Sequence, residues 1–549
     1  MSIELRSEEG RETGRGESVE QGIVPTRRRR RSSGRAVVHS FALSGIDALP
    51  VEVQVAAESG YPSIALVGLP DTAVRESRER IQAAFKGLDA KLNERRFTVN
   101  LAPAELRKEG ASFDLPIALG LLVALKKLRP ERLSGLAMAG ELALDGSIRP
   151  IRGALAHAIG ARRLGCRGLI VPAQNVDETV GVGELLIFPA RSLPELVQQL
   201  ANGELKPAVT TDAPLECTTD VAGEESVDLR WVRGQAAARR ALEIAAAGAH
   251  NLLLVGPPGA GKTLLARCLP GILPPLNREE SLEVTLVHSV AGRLPPGTAC
   301  LRSRPFRAPH HPITGPGLVG GGLVPRPGEV SLAHYGVLFL DEMPEFRPEV
   351  LNLLRQPVEE GALTLVRLQR SVRIPCRFML VGAMNPCPCG HLGDPRRGCR
   401  CTEAQIKRYQ GRISRPLLDR IDLQAQVPTL SAREITRAEP AGGESSSEVR
   451  ARVTQARSVQ TARFAGRAKL YANAQMTIDD LERDCPLGAA VRALLQSAMD
   501  RLGLSARAAH RAIRVARTIA DLAGSEEIGA PHLAEAVSYR GFDTSGDPR

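Results

Sequence analysis

The segment NLLLVGPPGAGKT, residues 251–263, decides the fold of the central part of the chain. Its first five residues are typical of a buried β-strand, and the apolar spacing of residues 264–269 predicts a helix after the segment. Residues 256–263 match the pattern G-x-x-x-x-G-K-T between that strand and that helix, which is the arrangement of a P-loop. The residues of this predicted phosphate-binding loop are Gly256, Pro257, Pro258, Gly259, Ala260, Gly261, Lys262 and Thr263.

A P-loop binds a nucleoside triphosphate through its backbone and two of its side chains. Its glycines let backbone N–H groups point at phosphate oxygens, and the following helix adds the positive end of its dipole. We expect the Lys262 ammonium to contact the β- and γ-phosphates and the Thr263 hydroxyl to ligate Mg²⁺. The sequence therefore predicts ATP and Mg²⁺ as cofactors.

Polar side chains follow two further predicted strands. Asp341 and Glu342 come directly after the apolar run of residues 336–340, and Asn385 follows residues 378–384. Asp341 is expected to hold the Mg²⁺ shell, Glu342 to polarise the attacking water and Asn385 to orient it. The alternatives are an acidic pair that caps a strand end and an asparagine turn. A P-loop upstream in the same domain favours the catalytic roles.

Two basic features have two interpretations each. Arg420 lies between the carboxylates of Asp419 and Asp422, either in a surface salt bridge or as an arginine finger for a neighbouring subunit's γ-phosphate. Residues 362–374 predict a β-hairpin with a basic tip that is either kept soluble by its charge or contacts the phosphates of a polyanion without reading sequence. Its arginines are Arg367, Arg370 and Arg373.

Length and composition limit the class of protein. A chain of 549 residues predicts more than one domain. Its 43% hydrophobic and 24% charged residues exclude a wholly disordered, collagenous or heptad-repeat protein. The apolar run 115–125 is too short to span a bilayer, and residues 1–10 lack the apolar core of a signal peptide, so we expect a cytoplasmic protein without a membrane partner. The net charge of +11 favours polyanionic partners without establishing one.

Composition and hydrophobic period divide the chain into six segments. They are a disordered basic tail (1–35), an α/β domain (36–202), a linker (203–226), a second α/β domain (227–430), a flexible break (431–448) and a helical C-terminal domain (449–549). In the first α/β domain the pattern predicts strands at 51–55, 64–68, 96–101 and 168–172, and helices at 72–88 and 115–128.

Four cysteines form a cluster in the sequence shortly after Asn385. Two C-x-C pairs within fifteen residues favour a structural Zn²⁺ site, although the spacing within each pair is tighter than the usual C-x₂₋₄-C. The alternative is a cysteine-rich loop with free thiols. The four cysteines are Cys387, Cys389, Cys399 and Cys401.

The ordered set of motifs resembles the magnesium-chelatase-like AAA+ ATPases of the YifB/ComM family. The residues that carry this resemblance are GPPGAGKT (256–263), RPFRAPHH (304–311), LVGGGLVPRPGEVSLAHYGVLFLDEMPEF (318–346), GAMNPCPCG (382–390), PLLDRID (416–422) and LSARAAHRAIRVARTIADL (504–522). The resemblance implies a central P-loop AAA+ domain followed by a C-terminal helical lid. It also implies that Asn385 is sensor 1, Arg420 the arginine finger and Arg507 sensor 2, with Arg511 and Arg514 as competing candidates for the last role.

Residues 36–202 resemble a Lon-protease-type domain, a fold related to ribosomal S5 domain 2. Residues 108–112 match the nucleophile loop of that domain, with Ser112 as the serine. The lysine of the catalytic dyad has no counterpart, because Leu155 and His157 flank its expected place. A serine without an amine of lowered pKa is a poor nucleophile, so the sequence predicts a proteolytically inactive domain.

The family resemblance implies DNA translocation and branch migration in recombination of incoming DNA during natural transformation. We therefore expect a hexameric ring of identical subunits that hydrolyses ATP to move along DNA without reading its sequence. The first alternative is a chelatase-type ATPase that remodels a protein partner. A non-catalytic scaffold is disfavoured because every P-loop residue is intact.

Overall fold

The computed structural model describes residues 35–540 except 89, 91, 209–226, 323–325, 368–369, 395–396, 431–442 and 468–469. The predicted basic tail up to residue 34, most of the predicted linker and most of the predicted flexible break lie outside the described residues, and Arg35 begins the first strand.

The N-terminal region is built on a mixed seven-stranded sheet. The first nine strands of the chain are β1 (Arg35–Ser44), β2 (Asp47–Glu58), β3 (Ser63–Val67), β4 (Arg96–Ala102), β5 (Leu136–Met138), β6 (Glu141–Leu142), β7 (Ile148–Arg149), β8 (Gly168–Pro172) and β9 (Leu186–Ala190). Seven of them pair in the order β3-β4-β2-β1-β5-β8-β9, and β6 and β7 form a separate antiparallel pair. Strand β2 is antiparallel to both of its neighbours, and the remaining pairs of the large sheet are parallel.

Five α-helices cover this sheet. They are α1 (Thr72–Ala84), α2 (Asp114–Ala124), α3 (Ala154–Arg163), α4 (Val176–Thr179) and α5 (Leu193–Asn202). Every residue of α2 is buried, because its apolar side chains surround the helix on all sides and leave no polar face. Three of the predicted strands are confirmed within one residue, whereas β2 begins four residues before and ends three residues after the predicted strand 51–55. The predicted helix 72–88 ends four residues early as an α-helix, where a 3₁₀ turn over Phe85–Gly87 replaces it.

The central region contains a five-stranded parallel sheet. Its strands and short hairpins are β10 (Leu252–Val255), β11 (Phe306–Arg307), β12 (Gly320–Gly321), β13 (Arg326–Pro327), β14 (Val337–Leu340), β15 (Ala362–Arg367), β16 (Arg370–Pro375), β17 (Met379–Met384) and β18 (Leu423–Gln426). The order of the parallel sheet is β11-β14-β17-β10-β18, so the predicted P-loop strand β10 lies between β17 and β18. Every residue of β10, β14 and β17 is buried, which agrees with their continuous apolar sequences.

Helices flank the parallel sheet, and further helices follow it. Those of the central region are α6 (Ala236–Gly248), α7 (Lys262–Ile272), α8 (Arg278–Ala291), α9 (Gly315–Val319), α10 (Glu329–Leu332), α11 (Pro348–Asn352), α12 (Arg355–Glu360), α13 (Glu403–Gln410) and α14 (Arg415–Leu418). The C-terminal helices are α15 (Ser446–Arg463), α16 (Ile478–Asp484), α17 (Ala489–Leu502), α18 (Ala506–Leu522) and α19 (Ala530–Ser538). They share one apolar core with α6, α7 and the strands of the sheet.

The fold is therefore mixed α/β with a parallel sheet, as the sequence predicts. Among the described helices, none combines the length and apolar character needed to cross a membrane.

Asp422 stabilises the edge of the parallel sheet at which β10 and β18 begin. Its Oδ2 accepts a hydrogen bond of 3.1 Å from the backbone N–H of Asn251, and the Arg511 Nε lies 3.9 Å from its Oδ1. Burial alone would raise the pKa of Asp422, but hydrogen bonding and charge from His250, with the charges of Arg511 and Arg514, outweigh burial and lower the pKa to about 2.

The depressed pKa of Asp422 predicts a pH-dependent contribution to stability. The contribution is complete above the unfolded pKa near 4 and is lost as pH falls toward the folded pKa of about 2. We expect Asp422→Asn to reduce the free energy of unfolding by about 2 kcal/mol at pH 7 and by less at pH 3. Thermal unfolding at both pH values measures this, with the exposed Asp500→Asn as control. An equal loss at both pH values would contradict the prediction.

Candidate active site

The predicted P-loop runs from the carboxyl end of β10 to the first turn of α7. Gly259 and Gly261 have φ values of +75° and +92°, which L side chains rarely adopt, and a Cβ on either would meet open space. Gly256 is required for a different reason, because a Cβ there would lie 2.1 Å from the carbonyl oxygen of Val427. The glycines therefore give the loop its curvature and let its first residue approach β18 closely.

The Lys262 side chain folds back over the loop. Its Nζ donates hydrogen bonds to the carbonyl oxygens of Gly256 at 2.7 Å and Pro257 at 2.9 Å, and to the Asn385 Oδ1 at 3.1 Å. Burial lowers the pKa of Lys262, and the nearby charges of Asp341 and Glu342 oppose that effect. The ammonium is therefore held at the centre of the candidate site by neutral acceptors that a phosphate oxygen can replace.

The residues at the end of β14 lie opposite the P-loop. The Thr263 hydroxyl donates a 2.7 Å hydrogen bond to the Asp341 Oδ2, and the Asp341 Oδ1 accepts a 2.9 Å hydrogen bond from the Glu342 backbone N–H. Glu342 is exposed and has a φ of +50°, a conformation that is costly for a residue with a Cβ and that recurs at functional sites. A hydroxyl and a carboxylate oxygen at this separation are the hard oxygen donors that Mg²⁺ prefers, so they fit the predicted cation.

Sheet register explains why these groups meet. Val255 pairs with Met384, and Leu340 pairs with Gly382, so β10, β14 and β17 end at the same edge of the sheet. The structure therefore brings together the predicted residues that follow those strands. They are the P-loop residues, Asp341, Glu342 and Asn385.

Gln235 supports the P-loop from the segment that precedes α6. It is buried, and its Nε2 donates hydrogen bonds to the carbonyl oxygens of Ala260 at 3.2 Å and Pro428 at 2.7 Å. Trp231, four residues earlier, is 64% exposed. Gln235 thus connects the P-loop to the residues after β18, and the same segment exposes the Trp231 ring.

Arg420 lies at the opposite edge of the parallel sheet. It precedes β18, and its carbonyl oxygen accepts a 2.9 Å hydrogen bond from the Asn251 Nδ2 at the start of β10. Its guanidinium donates to the Pro416 carbonyl oxygen at 2.6 Å and pairs with Glu359. Within the described residues, no hydrogen bond or ion pair joins Arg420 to the P-loop.

The predicted sensor 2 residue is also separate from the P-loop. Arg507 is exposed on the first turn of α18, and in the described part of the chain no hydrogen bond or ion pair links it to residues 256–263. Arg511 and Arg514, the competing candidates, face Asp422 at the edge that carries Arg420, and burial lowers the pKa of both.

Comparison with protein families gives three matches that follow the chain in order. Residues 228–435 match the family described as magnesium chelatase, subunit ChlI, and residues 443–540 match the C-terminal region of that subunit. A further match to subunit ChlI of Mg-chelatase covers residues 51–175. Competence protein ComM of Haemophilus influenzae is 43% identical over 506 residues, which are 92% of this chain and 97% of ComM.

The chain belongs to the YifB/ComM family of magnesium-chelatase-like proteins. The uncharacterized protein YifB of Salmonella typhimurium is 42% identical over 511 residues, again with 92% of this chain and 97% of YifB covered. A partial likeness joins the chain to Lon protease of Aster yellows witches'-broom phytoplasma, with 28% identity over 173 residues, 29% of this chain and 21% of that protein. AAA+ membership of the YifB/ComM family indicates an ATPase that uses ATP and Mg²⁺.

The four clustered cysteines of this family member converge in space. Their sulfur atoms all lie within 4.8 Å of one another, and the Cys387 Sγ is 3.4 Å from the Cys389 Sγ and 3.6 Å from the Cys399 Sγ. A tetrahedral zinc site with Zn–S bonds of 2.3 Å places its sulfurs about 3.8 Å apart, so the cluster fits Zn²⁺. The predicted ligands are thus brought together with Cys401 included.

The cysteine cluster adjoins the nucleotide site. Cys387 follows Asn385 by two residues, and a Cβ on Gly390 would lie 2.5 Å from the Pro258 Cδ of the P-loop. Sequence inspection does not reveal this close approach, because Gly390 and Pro258 are 132 positions apart in the chain. The sequence feature that could have indicated this approach is Gly390, a glycine directly after the Cys387 and Cys389 pair.

The predicted β-hairpin is confirmed. Strands β15 and β16 pair antiparallel, with Leu363 opposite Ile374 and Thr364 opposite Arg373. Arg373 is exposed, whereas the side chains of Arg367 and Arg370 and the tip at 368–369 lie outside what the structure describes.

In the Lon-like N-terminal region, the residues that flank the position expected for the catalytic lysine do not supply a proton acceptor for Ser112. Leu155 and His157 are both buried in α3, and burial lowers the pKa of His157 to about 4. Neither ring nitrogen of His157 has a hydrogen-bond partner among the described residues, so His157 does not activate Ser112 in this conformation.

Proposed function

We propose that this protein is an ATP-hydrolysing ring motor that acts on DNA, with branch migration during recombination of incoming DNA as its process. The observation that carries the proposal is the separation of the site into two halves. Lys262, Asp341 and Asn385 meet at one edge of the sheet, and Arg420 lies at the other.

Hydrolysis uses the groups on the P-loop edge. Bound ATP would replace the carbonyl oxygens around the Lys262 Nζ, and Mg²⁺ would supply positive charge to the β- and γ-phosphates. Thr263 and Asp341 supply oxygens to the cation. Glu342 accepts a proton from the attacking water, whose position the Asn385 amide fixes. Hydrogen bonds from Lys262 to Asn385 and from Thr263 to Asp341 already connect the start of α7 to the ends of β17 and β14, which supports these roles.

An arginine finger in this fold requires a second subunit. The four residues of β10 alone span about 13 Å, which exceeds the reach of one arginine side chain, so Arg420 cannot contact the phosphates of its own chain. A contact between unlike faces of identical subunits repeats head to tail and forms a ring when its rotation closes, which is the assembly that we propose. The family resemblance implies six subunits.

The DNA part of the proposal rests on three supports. The relative ComM is named a competence protein. The β15–β16 hairpin carries the exposed Arg373, and the chain has a net charge of +11. Phosphate contacts of this kind are independent of sequence and weaken with salt. We expect ATPase activity that single-stranded, double-stranded or branched DNA stimulates at low salt. Absence of stimulation by all three would contradict DNA as the partner.

We also propose that the cysteine cluster holds one structural Zn²⁺ ion, which fixes the loop after Asn385. Elemental analysis of protein purified without chelator is expected to give about one zinc per chain. Cys399→Ser removes one ligand and should reduce the zinc content strongly. Cys166→Ser, outside the cluster, should retain it. Zinc-free wild-type protein would contradict the assignment.

A chelatase-type ATPase that remodels a protein partner is the second candidate, since all three family matches carry the name of a magnesium-chelatase subunit. Loss of tetrapyrrole synthesis after deletion would favour it over the DNA motor. For the N-terminal region we propose a Lon-like domain without peptidase activity, because His157 is buried and has no hydrogen-bond partner in the described part of the chain. Labelling of Ser112 by a serine-reactive probe would contradict that assignment.

A further inference from the structure

Arg420 has an acidic partner within its own chain. Its Nη2 pairs with the Glu359 carboxylate, and its Nη1 donates to the Pro416 carbonyl oxygen at 2.6 Å. The Arg420 side chain is only 15% exposed, and its Nε has no hydrogen-bond partner among the residues that the structure describes. The guanidinium is therefore folded against its own subunit, and it must leave Glu359 before it can contact a phosphate on a neighbour.

Glu359 is exposed enough to give up this contact. Its side chain is 59% exposed, so water can solvate the carboxylate when the ion pair opens. Arg420 and Glu359 border an open cleft of about 900 Å³, which Arg373, Arg511 and Arg514 also line. The cleft gives the guanidinium room to turn outward, and because arginines outnumber carboxylates in its lining, its net positive charge favours a new anionic partner.

Glu359 is also connected to the β15–β16 hairpin. It lies in the last turn of α12, and α12 ends at Gly361, whose backbone N–H donates a 2.9 Å hydrogen bond to the Pro357 carbonyl oxygen. The Gly361 carbonyl oxygen accepts a 3.0 Å hydrogen bond from the Cys376 backbone N–H at the end of the hairpin. Both strands of the hairpin are thus bonded to the helix end that carries Glu359.

We propose that Glu359 holds Arg420 in a resting position, and that a load on the hairpin releases Arg420 for the neighbouring subunit's ATP. This inference rests on the proposed function and deepens it by assigning a positioning residue to the arginine finger. Arg373, on the hairpin and beside the cleft, is the described side chain through which bound DNA phosphates pull on the hairpin.

The test measures ATPase rates of the full-length protein with and without forked DNA. We expect Glu359→Gln to raise the DNA-free rate about fivefold, the factor that one exposed ion pair can supply, and to leave the DNA-saturated rate unchanged. The ratio of stimulated to basal rate then falls toward one. Glu360→Gln removes the same charge one residue on, where the carboxylate pairs with Gln356, and should behave as wild type.

A double variant separates positioning from a general structural effect. Glu359→Gln combined with Arg420→Ala should be as slow as Arg420→Ala alone, because the released group is absent. An increase that persists in the double variant, or an unchanged DNA-free rate in Glu359→Gln, would overturn the proposal. Equal melting temperatures for Glu359→Gln and wild type would show that the fold is intact.

The same variants separate this inference from the proposed function. A wild-type ATPase without DNA stimulation would contradict the DNA motor, and the DNA-free comparison would still decide the role of Glu359. If the wild-type protein hydrolyses no ATP, the role of Glu359 is tested instead by ATP-dependent self-association, which light scattering measures. We then expect Glu359→Gln to assemble at about fivefold lower protein concentration, and equal concentrations would overturn the inference.

Discussion

The Glu342→Gln variant is expected to bind ATP as the wild type does and to hydrolyse it roughly 10²- to 10⁴-fold more slowly, the contribution typical of a general base. The amide keeps the size of the side chain but cannot accept the proton of the attacking water. Lys262 is held by the Pro257 carbonyl oxygen and Asn385, and Thr263 by Asp341, so these side chains remain in place without the Glu342 carboxylate.

Two measurements check this prediction. Binding of a fluorescent ATP analogue should give equal affinities for wild type and variant, while phosphate release should fall. Glu345→Gln is the matched control, since its carboxylate lies three residues on and pairs with Arg412 at 2.9 Å. Wild-type hydrolysis by Glu342→Gln would show that another group activates the water.

Replacement of Arg420 by Ala should reduce hydrolysis about 10³-fold or more, the effect of removing an arginine finger. The reason is geometric, because the guanidinium lies at the edge where β10 and β18 begin and serves the site of a different subunit. Nucleotide binding to the isolated chain should not change. Arg415→Ala, an exposed arginine in α14, is the control and should retain activity.

Mixing inactive variants tests whether Arg420 acts between subunits. Lys262→Ala retains the finger and lacks the phosphate site, and Arg420→Ala has the opposite defect. In an equal mixture about one quarter of neighbouring pairs combine an intact site with an intact finger, so about a quarter of the wild-type rate should return. A mixture as inactive as its components would contradict action in trans.

The residues of the candidate site could be predicted from the sequence because each of them belongs to a short motif. The P-loop needs glycines, a lysine and a threonine at fixed spacing, and Asp341, Glu342 and Asn385 directly follow apolar strands. The parallel register of β10, β14 and β17 then brings those residues to one edge. The cysteine cluster is similarly local, because two short pairs close one loop.

Contacts between distant segments could not be predicted in the same way. Glu359 and Arg420 are 61 residues apart, and nothing in either local pattern selects the other as partner. Likewise, Asp422 appeared only as a neighbour of Arg420, whereas the fold places it against Asn251 and Arg511. Such pairs depend on how helices cross the sheet, which hydrophobic period alone does not specify.

The most direct test of the central claim is ATP-dependent branch migration of a mobile branched DNA by the purified protein. The account predicts that wild type with ATP and Mg²⁺ moves the branch and separates the labelled strand, and that Glu342→Gln and wild type with a non-hydrolysable ATP analogue do not. A wild-type protein that hydrolyses ATP but leaves the branch in place, or one that moves it equally well without hydrolysis, would contradict an ATP-driven DNA motor.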